Sequence, residues 1–513
     1  MFFYKINQKS ILLFFVVLVI MNSGYAQKKK MPLPVTPDKI ALFDNYIKSS
    51  MPLWHTTGLS VAIVKDGTVI FKKGYGVTNI DTKQPFETNT IAYCASTTKA
   101  MTAVCMAMLV DEGKVKWDDK LKDVLPEFRM ADPNMENELT VRDLFRHNAG
   151  FGNGDNLWVF GYPSKEIMKR MRYMKPAYSM RSSFIYQNLM YVIAGEVIEK
   201  ISGTPWHQFI QDRLFTPLGM NHTYTVDHEI KNEASVETPH YYYGDTVVEA
   251  IKAVDFGGYD PAGSVVSCSD DIVKWMQFLQ DSSRIAGKRI LKAETFAELF
   301  KPQSFVTPAE FYPTKDLTKP HWMTYGLGWF QQDYRGRMYQ FHTGSLDGAI
   351  AIHGFMPEEK FSIYIFANLD HSELRHALMW KATDLWCFDD VNGRDWSTDL
   401  YHHYKKIRDT ARKKVADEKA KRVAGTQPSL NLNQYTGTFT NEIYGNAQVT
   451  LDQGKLKLNF PNNISLSLNH WHYDTFLGQY NYKWSGESLV TFQLSTEGKI
   501  NKLAIEGVDY TRQ

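Results

Sequence analysis

One stretch of this 513-residue sequence decides the fold: STTKAMTAVCMAMLV, residues 96–110. Beyond its first four residues it is almost entirely apolar, which predicts a helix over Thr98 to Asp111 that is buried in a protein core. Ser96 and Lys99 are three residues apart, so the lysine stem lies on the same helical face as the serine, one turn further on. The free N–H groups at the start of the helix face any negative charge near Ser96.

This arrangement suits a nucleophilic serine. A serine hydroxyl is a weak nucleophile at its ordinary pKa and needs a base beside it. Burial lowers the pKa of a lysine, so Lys99 can be neutral enough to serve. A Ser-x-x-Lys pattern arises by chance about once or twice in a chain of this size. Taken alone, the motif is equally compatible with a helix-capping Ser96 and a solvated lysine.

Two further motifs follow in order. Tyr186-Gln187-Asn188 directly precedes an apolar helix from Leu189 to Ile201, and His342-Thr343-Gly344 ends a strand. In this order and at these wide separations, the three motifs resemble the active-site signature of the serine β-lactamase and penicillin-binding-protein superfamily, above all its class C and DD-peptidase-like branch. The resemblance covers roughly Leu42 to Trp386. Tyr444-Gly445-Asn446 has the same Tyr-x-Asn spelling but lies among turn residues of a later β region, so we discount it.

The resemblance implies a catalytic apparatus. Ser96 would attack a carbonyl and form an acyl-enzyme, and Lys99 with Tyr186 would form the proton relay. Nearby positive charge would favour the Tyr186 phenolate, and which of the two residues is the first base stays open. No glutamate is placed to activate a deacylating water, so that task would also fall to Tyr186.

The resemblance also implies a substrate-binding set. Asn188 would donate an amide hydrogen bond to the substrate. Thr343 would also bind the substrate. Gly344 would let the strand backbone approach the substrate closely. The backbone N–H groups of Ser96 and Ser345 would form the oxyanion hole.

The third motif departs from the usual pattern, because His342, which the resemblance places among the catalytic residues, occupies the position where many members carry lysine. Histidine titrates near neutrality and lysine does not. A permanent cation facing a substrate carboxylate is therefore not guaranteed, which weakens the case for efficient β-lactam hydrolysis. Members with histidine here include DD-peptidase-like and other peptide or ester hydrolases.

Strand patterns occur at both ends of the catalytic region, with helical patterns between them. They predict one α+β domain over residues 36–400, an antiparallel sheet flanked by helices with a mostly helical subdomain. The early strands form a hairpin turning at Asp66-Gly67, and a further helix begins after a capping Ser269. Three other stretches resemble the family and are interpreted as loop and packing signatures: residues 144–150, 260–264 and 325–329.

The remainder of the chain predicts a linker and a second domain. Residues 401–428 are rich in charged helix formers and predict a solvated helical linker. Residues 429–513 alternate apolar and polar positions between turns, which predicts a small barrel-like all-β domain. Its Tyr435-Thr436-Gly437-Thr438-Phe439 stretch resembles the lipocalin-like module fused to many such hydrolases. The module would cap the cleft, hold an apolar ligand or only add stability.

Residues 1–26 have a basic start, a short apolar run and small residues before Gln27, which predicts a secretory signal peptide and a periplasmic or secreted protein. The formal net charge is +2, and loss of Lys5 and Lys9 with the leader would leave no net charge, so nucleic acid is not an expected partner. An uncleaved anchor is the alternative, although the apolar run is short for a membrane span.

No cofactor or metal is expected, because the sequence has no phosphate-binding glycine loop and its histidine pairs lack ligand spacing. Four scattered cysteines, at positions 94, 105, 268 and 387, are interpreted as buried apolar side chains. The oligomeric state and any cysteine pairing are left open.

The leading hypothesis is a serine hydrolase acting on a small amide or ester, such as a D-amino-acid peptide or a peptidoglycan-derived fragment. One alternative is a carboxylesterase with weak β-lactamase activity. Another is a penicillin-binding sensor that is acylated and does not turn over. All three require Ser96, so the motifs do not choose among them.

Overall fold

The computed structural model describes residues 38–225, 230, 233–244, 247–252 and 260–513, so the predicted leader lies outside the described residues. The strands before the linker are β1 Gly58–Lys65, β2 Thr68–Gly76, β3 Ala92–Tyr93, β4 His240–Tyr243, β5 Val247–Ala250, β6 Val266–Ser267, β7 Arg284–Ile285, β8 Lys288–Arg289, β9 Ser304–Phe305, β10 Met323–Tyr325, β11 Phe330–Tyr334, β12 Arg337–Leu346, β13 Ala349–Met356 and β14 Phe361–Ala367.

The helices lie mostly between the two groups of long strands. They are α1 Lys39–Leu53, α2 Thr98–Asp111, α3 Leu121–Val124, α4 Pro133–Glu138, α5 Asn156–Val159, α6 Ser164–Met171, α7 Asn188–Ser202, α8 Trp206–Ile210, α9 Thr216–Leu218, α10 Asp260–Gly263, α11 Ser269–Gln280, α12 Ala293–Glu298, α13 Lys315–Thr318, α14 Leu374–Cys387 and α15 Trp396–Ala420. Among the described residues, no helix combines the length and apolar character needed to cross a bilayer.

The central sheet has eight antiparallel strands in the order β2-β1-β14-β13-β12-β11-β10-β9. Strand β1 pairs with β14, which lies about 300 residues later, from Leu59 opposite Ala367 to Lys65 opposite Phe361. Sequence-distant segments therefore complete one sheet, which confirms the predicted α+β architecture.

Both faces of the sheet are covered by helices. Successive side chains of a strand point to opposite faces, and in β14 Ile363 and Ile365 pack into the core beneath α1 and α14. Tyr364 and Phe366 pack on the other side, in the core that contains α2, α7 and α11. Because the central strands β1, β13 and β14 are buried on both faces, they read as continuous apolar runs, whereas the edge strand β2 is partly exposed.

Two of the three predicted helices agree with the structure. Helix α2 spans Thr98–Asp111 as predicted, and α7 spans Asn188–Ser202, one residue beyond the predicted helix at each end. Gly203 caps α7, and its φ of +73° is the left-handed conformation that glycine adopts without strain. The prediction of a capping Ser269 is wrong. Ser269 is the first residue of α11, and its hydroxyl bonds to the Ser60 hydroxyl at 2.8 Å instead of capping the helix.

Beyond α15, eight strands form a closed antiparallel barrel, which confirms the predicted small β domain. They are β15 Gly437–Asn441, β16 Gly445–Asp452, β17 Lys455–Asn459, β18 Ser465–His472, β19 Thr475–Tyr480, β20 Glu487–Leu494, β21 Ile500–Ile505 and β22 Val508–Arg512. Side chains such as Tyr435, Phe439 and Phe492 fill the barrel interior, as expected for a barrel of this size. Tyr444 directly precedes β16, far from any α-helix start.

Candidate active site

The first two residues of the predicted motif, Ser96 and Thr97, lie in a tight turn directly before α2. Ala95, Ser96 and Thr97 form one turn of 3₁₀-helix before α2, with Ala95 at a φ of +47°. Such a conformation costs on the order of 1 kcal/mol for a residue with a Cβ. It places the Ser96 side chain at the wall of a cavity rather than in the helix interior.

Lys99 is completely buried beneath Ser96. Its Nζ lies 3.0 Å from Ser96 Oγ, 2.7 Å from Asn188 Oδ1 and 2.8 Å from the Ala262 carbonyl oxygen. Burial lowers the pKa of Lys99 well below its ordinary value, and the Asp155 carboxylate opposes this shift only in part. The structure thus brings serine and amine together in a site that favours the neutral amine.

The hydrogen-bond chemistry of these three contacts assigns a direction to each. Carbonyl oxygens only accept, so the two N–H bonds of a neutral Lys99 amine are directed to Asn188 Oδ1 and to the Ala262 oxygen. The remaining lone pair of Nζ then faces the Ser96 hydroxyl. In the neutral state, therefore, Ser96 donates its proton toward Lys99, which is the arrangement that a general base requires.

Tyr186 lies over the same lysine, with its ring centroid 5.0 Å from Nζ. Burial raises the pKa of Tyr186 well above its ordinary value, and the nearby Ser96 hydroxyl lowers it only in part. The expectation that positive charge favours the phenolate is therefore not supported, because Lys99 is held toward its neutral form. The buried Tyr186 hydroxyl lies close to the Ser96 hydroxyl, although within the described residues it makes no hydrogen bond of normal geometry.

Asn188 begins α7 and lines the cavity. Its Oδ1 accepts from Lys99, and its Nδ2 donates to Asp155 Oδ1 at 3.0 Å. The amide therefore orients the lysine and directs one N–H to a carboxylate. The donor role toward the substrate that the sequence implied for Asn188 stays a prediction.

His342 differs most from its expected role. It is 1% exposed and does not line the cavity. Its Nδ1 lies 2.6 Å from the Thr343 carbonyl, so Nδ1 carries the proton, and Nε2 accepts from the Tyr325 hydroxyl at 3.0 Å. Burial lowers the pKa of His342 to about 3. The side chain is thus a neutral buried support at neutral pH, and the expected titration near neutrality is wrong.

The rest of the third motif forms an edge of the cavity. Thr343 and Ser345 line it, and Thr343 Oγ1 bonds to the Tyr312 hydroxyl at 2.6 Å. At Gly344 an added Cβ would lie 2.1 Å from the Cys94 carbonyl oxygen. Glycine therefore allows this strand to pack directly on the turn that carries Ser96.

An ion pair behind the strand fixes this edge. Arg375 is 3% exposed, donates to the carbonyls of Gly344 and Ala351, and reaches Ser345 Oγ at 3.0 Å. Its charge is compensated by Glu373, which accepts two hydrogen bonds from Arg375 at 3.1 Å. Buried cations require such pairing, and the pair leaves no free positive charge here.

The cavity itself has a volume of about 350 Å³. Its walls combine the catalytic side chains with aromatic and acidic groups; the lining residues are Ser96, Asp155, Trp158, Tyr186, Asn188, Gly263, Glu310, Tyr312, Phe330, Thr343, Ser345 and Leu346. A space of this size suits a small molecule or one or two residues of a peptide.

The barrel lies against the rim of this cavity. Trp484 donates to Asp347 Oδ2 at 2.7 Å, just after the strand that carries Ser345. Asn462 donates to the Val159 carbonyl at 3.0 Å, and Phe460 stacks on Phe160 at 5.1 Å between ring centroids. The segment that carries Asp155 and Trp158 is thus held from outside by the barrel.

Sequence reasoning missed several residues of the site. Asp155, Glu310 and Tyr312 come from segments with no periodic pattern, so nothing local marked them. Ala262 was interpreted as part of a packing signature, yet its carbonyl binds Lys99. Arg375 was detectable in principle, because an arginine inside the apolar stretch of α14 needs a buried partner.

A buried carboxyl that bonds to the chain just before the Ser96 turn leads to a prediction about stability. Glu237 is 3% exposed; its Oε1 accepts the Tyr93 N–H at 2.7 Å and its Oε2 has no partner among the described residues. Burial raises its pKa from 4.5 to about 8. The folded state therefore keeps a proton that the unfolded state releases above pH 4.5, so stability falls as pH rises from 4.5 to 8.

The Glu237→Gln variant is expected not to lose folding stability between pH 4.5 and 8. At pH 4 the two proteins should unfold at similar temperatures, because the carboxyl is protonated in both states. At pH 7 the variant should be more stable by about 3 kcal/mol, since each pKa unit corresponds to about 1.4 kcal/mol. Thermal unfolding across this range measures the difference. The exposed Glu294→Gln variant should show none, and a pH-independent gap for Glu237→Gln would refute the assignment.

The chain is similar to known protein families and to curated proteins. A family model described as beta-lactamase matches residues 43–385, and one described as a domain of unknown function (DUF3471) matches residues 421–513. The chain is 25% identical over 434 residues to unguisins hydrolase ungD' of Aspergillus campestris, covering 80% of this chain and 78% of that protein. It is 24% identical over 347 residues to protein flp of Staphylococcus aureus strain MW2, covering 66% and 64%.

Two solved structures share the fold. An octameric penicillin-binding protein homologue from Pyrococcus abyssi superposes with a TM-score of 0.63 at 19% identity, covering 92% of this chain and 100% of that one. SurE superposes with a TM-score of 0.55 at 19% identity, covering 92% and 98%. At this identity the likeness is one of fold, and it extends over both the sheet domain and the barrel.

Proposed function

The chain belongs to the beta-lactamase family and is a serine hydrolase, and we propose that it cleaves a small amide or ester through an acyl-enzyme on Ser96. The substrate class we propose is a short peptide, such as a D-amino-acid peptide or a peptidoglycan-derived fragment. The supporting observation is the contact of 3.0 Å between Ser96 Oγ and a fully buried Lys99 amine. The curated relative named unguisins hydrolase is itself a hydrolase, which agrees with this proposal.

Acylation follows from the direction of the hydrogen bonds. Lys99 takes the Ser96 proton, Oγ forms a bond to the substrate carbonyl carbon, and the carbonyl oxygen gains negative charge. The backbone N–H groups of Ser96 and Ser345 would stabilise that oxygen, and such donors contribute about 3 kcal/mol each. Tyr186, which is neutral and has a free hydroxyl, donates a proton to the leaving group as the carbonyl re-forms.

Deacylation reverses these roles. The leaving group departs with the proton, and Tyr186 recovers one from Lys99 directly or through solvent. A water molecule entering the cavity then attacks the ester carbonyl, giving its proton to the same pair, and Ser96 is restored. Lys99 as first base and Tyr186 as acid is the order that the two pKa directions support.

A paired assay with a nitrophenyl ester and a fluorescent penicillin tests this proposal. We expect continuous ester turnover and slow labelling by penicillin, because His342 is neutral and buried and provides no cation for the penicillin carboxylate. Stable labelling by penicillin without ester turnover would support the alternative of a penicillin-binding sensor. Absence of both activities in folded protein would contradict the proposed function.

We also propose that the protein is exported, on the strength of the leader pattern in residues 1–26. The measurement is the mass of the protein recovered outside the cytoplasm. A mature chain that begins at Gln27 would support cleavage after Ala26, and retention of the whole leader in a membrane fraction would support the anchor alternative.

A further inference from the structure

The charge of the catalytic cavity is opposite to what recognition of a carboxylate requires. Among the lining residues of the described chain, the charged ones are Asp155 and Glu310, and both are acidic. The cationic groups nearby are compensated or neutral: Arg375 is paired with Glu373, and burial holds Lys99 toward its neutral form. A substrate entering this space therefore meets a negative potential.

The two carboxylates are each tied to the catalytic apparatus. Asp155 accepts from Asn188, the residue that holds Lys99. Glu310 is exposed, and its Oε2 lies 3.4 Å from the backbone N–H of Tyr186. One acidic group thus lies beside the lysine and the other beside the tyrosine, with Ser96 in the wall of the same cavity.

The other walls favour a cation next to an apolar group. Trp158, Tyr312 and Phe330 contribute aromatic surface to the cavity. Aromatic faces attract an ammonium group and also bury apolar side chains. The Tyr186 ring adds a further aromatic group to the cavity wall.

From this arrangement we infer that the cavity selects substrates that carry a protonated amine beside an apolar side chain, as the amino-terminal residue of a peptide or an amino-acid ester does. The inference rests on the proposed function, since it names the substrate class of the same site. Glu310 is the specificity-determining residue, because it is the more exposed of the two lining carboxylates and makes no side-chain bond to Asn188 or Lys99. Asp155, which is half-buried and lines the same cavity, adds to the negative potential.

The test is a binding measurement on the full-length Ser96→Ala variant, which makes the readout independent of catalysis. Phenylalaninamide and 3-phenylpropanamide differ only in the α-ammonium group, so the ratio of their dissociation constants isolates its contribution. We expect calorimetry at low salt to show the amine form binding more tightly by on the order of tenfold, and the ratio to shrink in 1 M salt.

Combining Glu310→Gln with Ser96→Ala should bring the ratio close to one, while Glu294→Gln in the same background should leave it unchanged, because Glu294 is equally charged but lies on α12 outside the cavity. Equal binding of the two amides by the Ser96→Ala protein, or tighter binding of the uncharged one, would overturn the inference. Ester turnover by the wild-type protein would then show that the proposed hydrolase function stands without it.

Discussion

Ser96→Ala is expected to abolish turnover of every ester and all labelling by penicillin, with kcat lowered by a factor on the order of 10⁶. The variant loses the atom that bonds to the carbonyl carbon, and no neighbouring hydroxyl of the cavity shares its contact with Lys99. The fold should persist, because Lys99 keeps its bonds to Asn188 and to the Ala262 carbonyl. Thermal unfolding should therefore change little.

The control for this prediction is Ser49→Ala, which removes an exposed hydroxyl from α1, remote from the cavity. It should retain full activity. The two variants are compared by steady-state ester hydrolysis and by mass spectrometry of the penicillin-treated protein. Unreduced turnover by the Ser96 variant would show that another nucleophile carries the reaction and would remove the basis of the proposed mechanism.

The sequence predicted the serine–lysine contact because both residues lie on one helix, where a spacing of three is sufficient to place them together. It predicted the sheet because β14 and β1 have strand patterns of their own, whatever separates them. The sequence did not predict contacts between distant segments. Glu310 reaches the cavity only because the chain after β9 passes over Tyr186, and no local pattern encodes that path.

The third motif shows how far the sequence could have been taken. Alternate side chains of a strand face opposite sides, so His342 lies on the same face as Gly344, which packs on the turn that carries Ser96. Strand geometry therefore predicts a His342 side chain beside that turn. What the sequence could not supply was the environment of the ring, which Tyr186, Tyr325 and Phe330 enclose and which burial holds neutral.

Tyr186→Phe is expected to separate activity from stability. The hydroxyl has no hydrogen-bond partner among the described residues, so its removal relieves a buried unsatisfied group and should leave the melting temperature unchanged or slightly higher. Turnover of an alkyl ester or amide should fall by a factor of about 10² to 10⁴, because its strongly basic leaving group loses the proton donor. Acylation by the nitrophenyl ester should be affected least, since nitrophenolate departs without protonation.

Tyr339→Phe is the matched control and is expected to have the opposite effects, a loss of stability with unchanged activity. Its hydroxyl bonds to Thr383 Oγ1 at 3.0 Å in the core beside α14, and Tyr339 does not line the cavity. Its removal should cost about 1 kcal/mol of stability and leave turnover intact. If both tyrosine variants lost stability and kept activity, Tyr186 would be an ordinary core residue. A buried hydroxyl without a hydrogen bond of normal geometry at the wall of the cavity is unfavourable for folding, and the proposed proton transfer to the substrate would account for its presence.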